Sequence, residues 1–152
     1  RRDSWEFWAG QGQWTSDVSE SNPLFEWSYG GGNTGIVTMT YHPRLKKYIT
    51  AVTTEHFDVD GVGAKIETEM DTYVLESDSL TGPFRLVSYI PKFGPQAYFV
   101  NFVSKFWSLG SDPMTGVIAY SADCGFKAEN AGQFPPAGRY GLIVSEVRLD
   151  LA

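Results

Sequence analysis

Six side chains in this sequence have the chemistry of a ligand site, because each is aromatic or polar and lies in or beside a glycine-rich connection or an apolar segment. They are Trp27, Asn33, Gln96, Tyr98, Lys105 and Trp107. Aromatic rings stack on the apolar faces of sugars, and amide, hydroxyl and ammonium groups orient a ligand by hydrogen bonding. These residue types therefore indicate a saccharide as the ligand.

A structural role is the alternative for each of these residues. Tryptophan side chains commonly pack between adjacent β-sheets, and this applies to most of the five in the chain. Lys105 interrupts a predicted apolar strand within residues 103–107, so it either faces a ligand or lays its aliphatic stem along apolar surface. The glycines at 30–32 allow close approach of a ligand, but a simple turn explains them equally well.

The acidic residues between positions 55 and 71 are the candidates for a metal site. They are Glu55, Asp58, Asp60, Glu67, Glu69 and Asp71. Asp58 to Gly61 matches only half of a calcium loop, since the third acidic ligand and the terminal glutamate are missing. His42 and His56 lack the spacing of a zinc pair, and no Gly-x-Ser-x-Gly nucleophile motif occurs. We expect a solvated acidic loop, no metal and no cofactor.

The charge of the chain narrows the classes of partner. A net charge of −6 at pH 7 argues against nucleic acid and against an anionic membrane surface. No apolar run approaches the length of a membrane-spanning helix. The single cysteine, Cys124, is either a buried small apolar residue or pairs with a cysteine outside this sequence.

The elements that would position the candidate residues are β-strands. Residues 36–41, 47–53, 72–77 and 84–90 alternate apolar and polar side chains or favour extended backbone, and turn residues separate them. These four runs predict one four-stranded antiparallel sheet in that order. Segments 97–103, 116–121 and 139–149 repeat the pattern as a three-stranded sheet, and residues 5–14 predict a hairpin with a glycine turn. The chain therefore holds roughly nine strands and is all-β.

One of these hairpins carries a family resemblance. Tyr73 to Ser79 followed by Thr81-Gly82-Pro83-Phe84 resembles the outer hairpin of a blade in five-bladed β-propellers of the arabinanase and β-xylosidase kind of glycoside hydrolase, including secreted propeller proteins of unknown activity. The resemblance implies part of a five-bladed propeller built from four-stranded antiparallel blades. Residues 1–14 would end a preceding blade, 35–90 would form a full blade, and 97–150 would form an incomplete last blade.

The same resemblance implies a location and partners for the chain. It implies a secreted, extracellular protein that binds a saccharide at the mouth of the propeller channel, and an N-terminal half or a second chain that completes the ring. Because both inner strands would begin beside that channel, we predict that the four polar side chains Asn33, Gln96, Tyr98 and Lys105 converge on one concavity, with Trp27 or Trp107 on its wall. The start at Arg1-Arg2 agrees with a processed chain.

Whether the protein is an enzyme stays open at the sequence level. Gly94 to Tyr98 resembles the motif that begins an inner strand in such hydrolases, where a nearby glutamate acts as the general acid. Gln96 cannot donate a proton in that role. One hypothesis is a glycoside hydrolase that shares its catalytic acids with an absent N-terminal half, with no catalytic residue assigned in this chain. The other is a non-catalytic carbohydrate-binding or interaction propeller.

Overall fold

The computed structural model describes residues 5–26, 34–55, 70–94, 97–107, 112–123 and 140–150 of the 152-residue chain. In this part the protein is all-β, with strands in three antiparallel sheets and two single-turn 3₁₀ helices, Val18–Glu20 and Ser104–Phe106. The strands are β1 (Phe7–Gly10), β2 (Gln13–Thr15), β3 (Thr34–His42), β4 (Lys47–Glu55), β5 (Met70–Ser77), β6 (Arg85–Ile90), β7 (Tyr98–Phe102), β8 (Thr115–Asp123) and β9 (Tyr140–Arg148).

The N-terminal hairpin joins β1 and β2, as the sequence predicted. Gln11 and Gly12 form its turn with φ angles of 52° and 80°. Two positive φ angles match the right-handed twist of a tight hairpin. After β2, the side chain of Asp17 accepts a hydrogen bond from the backbone N–H of Ser19 at 2.9 Å and caps the first 3₁₀ helix.

The four-stranded sheet has the order β3-β4-β5-β6 with every neighbouring pair antiparallel. This confirms the predicted sheet and its strand order. Residues 49–54 of β4 are buried on both faces of the sheet, which is why this run is apolar and threonine-rich rather than strictly alternating. Where β5 pairs with β6 the register shifts opposite Val74 and Leu75.

The three-stranded sheet has the order β7-β8-β9 and is also antiparallel, as predicted. Along β8 the even-numbered residues 116–122 are buried and the intervening ones are partly exposed, the pattern of a strand with one face in the core. The strand boundaries differ from prediction by one or two residues. The first strand ends at Phe102 rather than Val103, and Lys105 lies in the second 3₁₀ helix instead of a strand.

The two larger sheets pack face to face, with β7 against β3 and β4. We call the two packed sides the inner faces. Buried side chains from both sheets form one core there: Ile49, Ala51, Val74, Ala97, Val100, Phe102, Trp107, Ile118, Tyr120 and Ala122. The hydroxyl of Thr38 on β3 also donates a hydrogen bond to the backbone carbonyl of Val100 on β7. Apolar burial and this polar contact together hold the two sheets in one unit.

The opposite sides, which we call the outer faces, carry exposed apolar side chains. On the four-stranded sheet these include Val37, Tyr41, Leu86 and Tyr89. On the three-stranded sheet, Leu142 and Val144 are 74% and 59% exposed. The described residues form no closed ring of sheets.

Candidate functional site

Three of the six predicted ligand-binding residues lie in the described part of the chain. Tyr98 is the first residue of β7, Lys105 is exposed in the 3₁₀ helix that follows this strand, and Trp107 ends that helix. β7 therefore separates Tyr98 from the other two, and these three do not meet in one concavity. The remaining predicted residues, Trp27, Asn33 and Gln96, lie outside the described residues.

Trp107 belongs to the core rather than to an exposed wall. It is only 7% exposed, its ring stacks on Phe102 at a centroid distance of 5.9 Å, and its other neighbour is His42 at 4.3 Å. Gly116 on β8 leaves the space that the indole occupies. Trp107 thus packs between the sheets, which is the structural role given above as the alternative to ligand binding. A glycine on the facing strand is what makes room for so large a ring, and sequence alone does not reveal that pairing.

His42 is the second polar residue in this cluster, and it is fully buried at the end of β3. Its Nδ1 accepts a hydrogen bond from the backbone N–H of Leu45 at 3.1 Å, which closes the β3–β4 turn. Burial lowers the pKa of the His42 imidazole, and the nearby backbone carbonyls of His42 and Pro113 oppose this effect. A neutral, turn-closing histidine has a structural role.

The opposite end of the sheets, where β7 begins, is organised by a buried carboxylate. Asp71 on β5 is 3% exposed and accepts hydrogen bonds from the Tyr89 hydroxyl at 2.7 Å and the Lys92 backbone N–H at 2.9 Å. The backbone N–H of Phe93 donates to the carbonyl of Met70 at 2.8 Å. These contacts fix the connection from β6 toward β7. Asp71 is thus not part of a solvated acidic loop, because backbone and tyrosine donors satisfy its carboxylate.

Tyr89 is affected in turn by this carboxylate. Desolvation of its hydroxyl, followed by the hydrogen bond to Asp71 and the negative charge of Asp71, raises the pKa of Tyr89 above its usual range. Its ring also stacks on Tyr73 at a centroid distance of 4.7 Å. Tyr89 therefore stays protonated and acts as a hydrogen-bond donor.

Phe99 is an exposed aromatic residue near the start of β7, and the sequence predicted no role for it. Phe99 is 61% exposed and adopts a φ of 53°, in the left-handed region that bulky residues avoid. It lies in a β-bulge, between the pairs Tyr98–Ser121 and Asn101–Ala119. Bulges redirect side chains and occur often beside binding sites. The apolar run 97–100 was the available signal, since consecutive residues of a strand cannot all face one core.

Among the described residues β7 is an edge strand of its sheet, since only β8 pairs with it. This edge strand can offer the exposed Phe99 ring for stacking and the side-chain amide of Asn101 for hydrogen bonding. Within the described ranges no group of three or more His, Cys, Asp or Glu side chains could hold a metal ion. No helix of the described residues is long and apolar enough to cross a membrane.

Comparison of the chain with family models, with curated proteins and with solved structures finds no match.

Proposed function

We propose that this chain supplies two adjacent blades of a β-propeller and binds a saccharide along β7, with the Phe99 ring as the stacking surface. The resemblance to arabinanase-like and β-xylosidase-like propellers favours such a ligand. The observation that carries the ligand proposal is the exposed Phe99, held at a φ of 53° in the β7 bulge. A strained, exposed aromatic residue on a free edge costs stability, so a binding role gives a reason for it.

The sheet arrangement supports the propeller part of the proposal. Each of the two larger sheets is a meander of sequential antiparallel strands, and the first strands β3 and β7 are in contact across the interface. Propeller blades are four-stranded antiparallel sheets packed around a central channel. In this proposal β3 and β7 are the innermost strands, and the sheet that begins with β7 is the incomplete blade.

The exposed outer faces support the presence of further blades. Leu142 and Val144 on one outer face and Val37 and Leu86 on the other are apolar and half exposed or more. Leu142 and Val144 are neighbours on one face of β9, and neighbouring exposed apolar side chains often mark an interface. An N-terminal half of the same protein or a second chain would cover both faces, and the extracellular location implied by the resemblance is part of this proposal.

Saccharide binding without hydrolysis is the favoured form of the proposal. Glycoside hydrolysis needs a carboxylate pair placed across the sugar, one of them able to donate a proton. Among the described residues Asp71 is a buried carboxylate, and the Tyr89 hydroxyl and the Lys92 backbone N–H already donate hydrogen bonds to it. This favours a structural role for Asp71. A glycoside hydrolase whose acids lie elsewhere is the second candidate.

The test is calorimetric titration with arabino- and xylo-oligosaccharides, paired with an assay of released reducing ends. Replacing Phe99 with glycine relieves the positive φ and removes the ring, so we expect binding about tenfold weaker without loss of thermal stability. Leu142→Ala is the control, since it shortens another exposed apolar side chain, on β9. Unchanged binding by Phe99→Gly would refute the site, and reducing ends from wild-type protein would favour the hydrolase.

A further inference from the structure

An open cleft lies at the N-terminal hairpin, between its turn and residues 22–26. Its volume is about 490 Å³, within the usual range for small-molecule sites. Four polar side chains line it, Gln11, Gln13, Asn22 and Glu26, together with apolar surface of Ala9 and Pro23. Neither the proposed propeller nor the β7 edge uses this cleft.

Two hydrogen bonds hold the far wall of the cleft in place. The backbone N–H of Asn22 donates to the carbonyl of Trp8 at 2.7 Å, and the side-chain Nδ2 of Asn22 donates to the carbonyl of Ala9. These contacts tie the segment after the first 3₁₀ helix to the edge of β1. They also leave Oδ1 of Asn22 as a hydrogen-bond acceptor in the cleft wall.

The near wall is built at a conformational cost. Gln11 has a φ of 52° at the first central position of the hairpin turn, where Asn, Asp or Gly is preferred. A long amide side chain at this position loses stability that Gly would not lose. Backbone strain of this kind clusters at binding sites. The turn thus places the Gln11 amide in the cleft lining at a position where glycine would give a more stable turn.

The lining chemistry selects the class of ligand. Three of the four polar side chains are amides, which donate and accept hydrogen bonds, and the fourth is a carboxylate. No lysine or arginine is among the lining residues, so the cleft does not suit an anion. A cation would be matched by several carboxylates rather than by one. Neutral hydroxyl groups, which donate and accept like amides, are the best match.

We propose that this cleft is a second binding site for a neutral polyhydroxylated ligand, a saccharide. Phe25, beside Glu26, packs on Phe84 at a centroid distance of 5.3 Å, and Phe84 precedes β6 at the end of the sheet opposite to the start of β3. The cleft therefore lies away from the start of β7. Its ligand class follows from its own lining and does not depend on the β7 site.

The test is an NMR titration of the full chain that follows the side-chain amide signals of glutamine and asparagine, with xylotetraose as the neutral probe and a glucosamine tetramer as the cationic one. We expect xylotetraose to shift the signals of Gln11, Gln13 and Asn22. Gln11→Gly should weaken this binding about fivefold, as for one lost hydrogen bond, while the melting temperature stays equal or rises. Glu26→Gln should change it by less than about twofold, since an amide replaces the carboxylate as a hydrogen-bonding group.

The outcomes separate this site from the proposed function. Phe99→Gly should leave the three amide shifts unchanged, whether or not β7 binds saccharide. No shift of these amides with xylotetraose, or full binding by Gln11→Gly, would overturn the proposal. Binding of the glucosamine tetramer alone, abolished by Glu26→Gln, would overturn the assigned ligand class.

Discussion

The two ends of β7 are built in different ways. Where the strand finishes, Trp107, Phe102 and His42 pack ring against ring, and the tryptophan and histidine are almost or fully buried. Where it begins, Asp71 is held by directed hydrogen bonds, and Phe99 lies exposed in a bulge. The structure of the first end is determined by how its rings fill space. The structure of the second end is determined by hydrogen bonds and by the position of β7 at the edge of its sheet. Stability should therefore depend mainly on the first end and ligand binding on the second.

The largest expected effect is the removal of the indole at the packed end. Trp107→Ala should lower the free energy of unfolding by about 3–5 kcal/mol, because it removes contacts with both His42 and Phe102 and leaves a cavity. Urea denaturation followed by fluorescence of the remaining tryptophans measures this loss. A loss below about 1 kcal/mol would contradict a core role for Trp107.

Crowding the same ring is the next test. A methyl group on Gly116 would lie 2.6 Å from Cζ3 of Trp107, so Gly116→Ala must displace the indole and should cost about 3 kcal/mol. In the Trp107→Ala background the same change should cost far less, since the cavity accepts the methyl group. A double-mutant cycle of unfolding free energies measures this coupling, and additive losses would show that the two residues do not share the space.

At the polar end, Asp71→Asn should have a smaller effect of about 1–2 kcal/mol, because the amide keeps the shape but loses a charged acceptor. It should also lower the pKa of Tyr89, whose hydroxyl donates to Asp71. Chemical denaturation measures the change in the free energy of unfolding, and an alkaline titration of phenolate absorbance measures the change in the pKa of Tyr89. Glu146→Gln on the exposed part of β9 is the control and should change neither.

The last expected effect appears as pH dependence at the packed end. The pKa of buried His42 is lowered in the folded state, so the unfolded chain binds more protons as the pH falls below the ordinary histidine value of 6.5. The contribution to stability is complete above that value and is lost as the pH falls from it toward the folded pKa. Protonation also removes the Nδ1 acceptor used by Leu45.

Unfolding free energies of wild type and His42→Asn between pH 7.5 and 5.5 test this. Both proteins contain His56, so the difference between their slopes isolates His42. Equal slopes in the two proteins would refute a neutral, buried His42.

The strand order was readable from the sequence. Alternation and turn residues around 36–41, 47–53, 72–77 and 84–90 are local features, and strands that follow one another in the chain commonly pair as neighbours. The same holds for the three-stranded sheet and the N-terminal hairpin. What period-two alternation predicts is which side chains share a face, and the antiparallel registers follow that pattern.

The tertiary structure decided which of those faces are covered. Trp107 and Phe99 are both aromatic residues near the ends of one strand, yet one is buried against Gly116 and the other is exposed in a bulge. Lys105 lies outside β7 because the chain forms a 3₁₀ helix after this strand. Trp107 follows that helix and packs in the core. Burial depends on contacts between residues far apart in the chain. The sequence shows which residues are aromatic. Only the packing of the two sheets decides which of these rings contributes to stability and which remains accessible to a ligand.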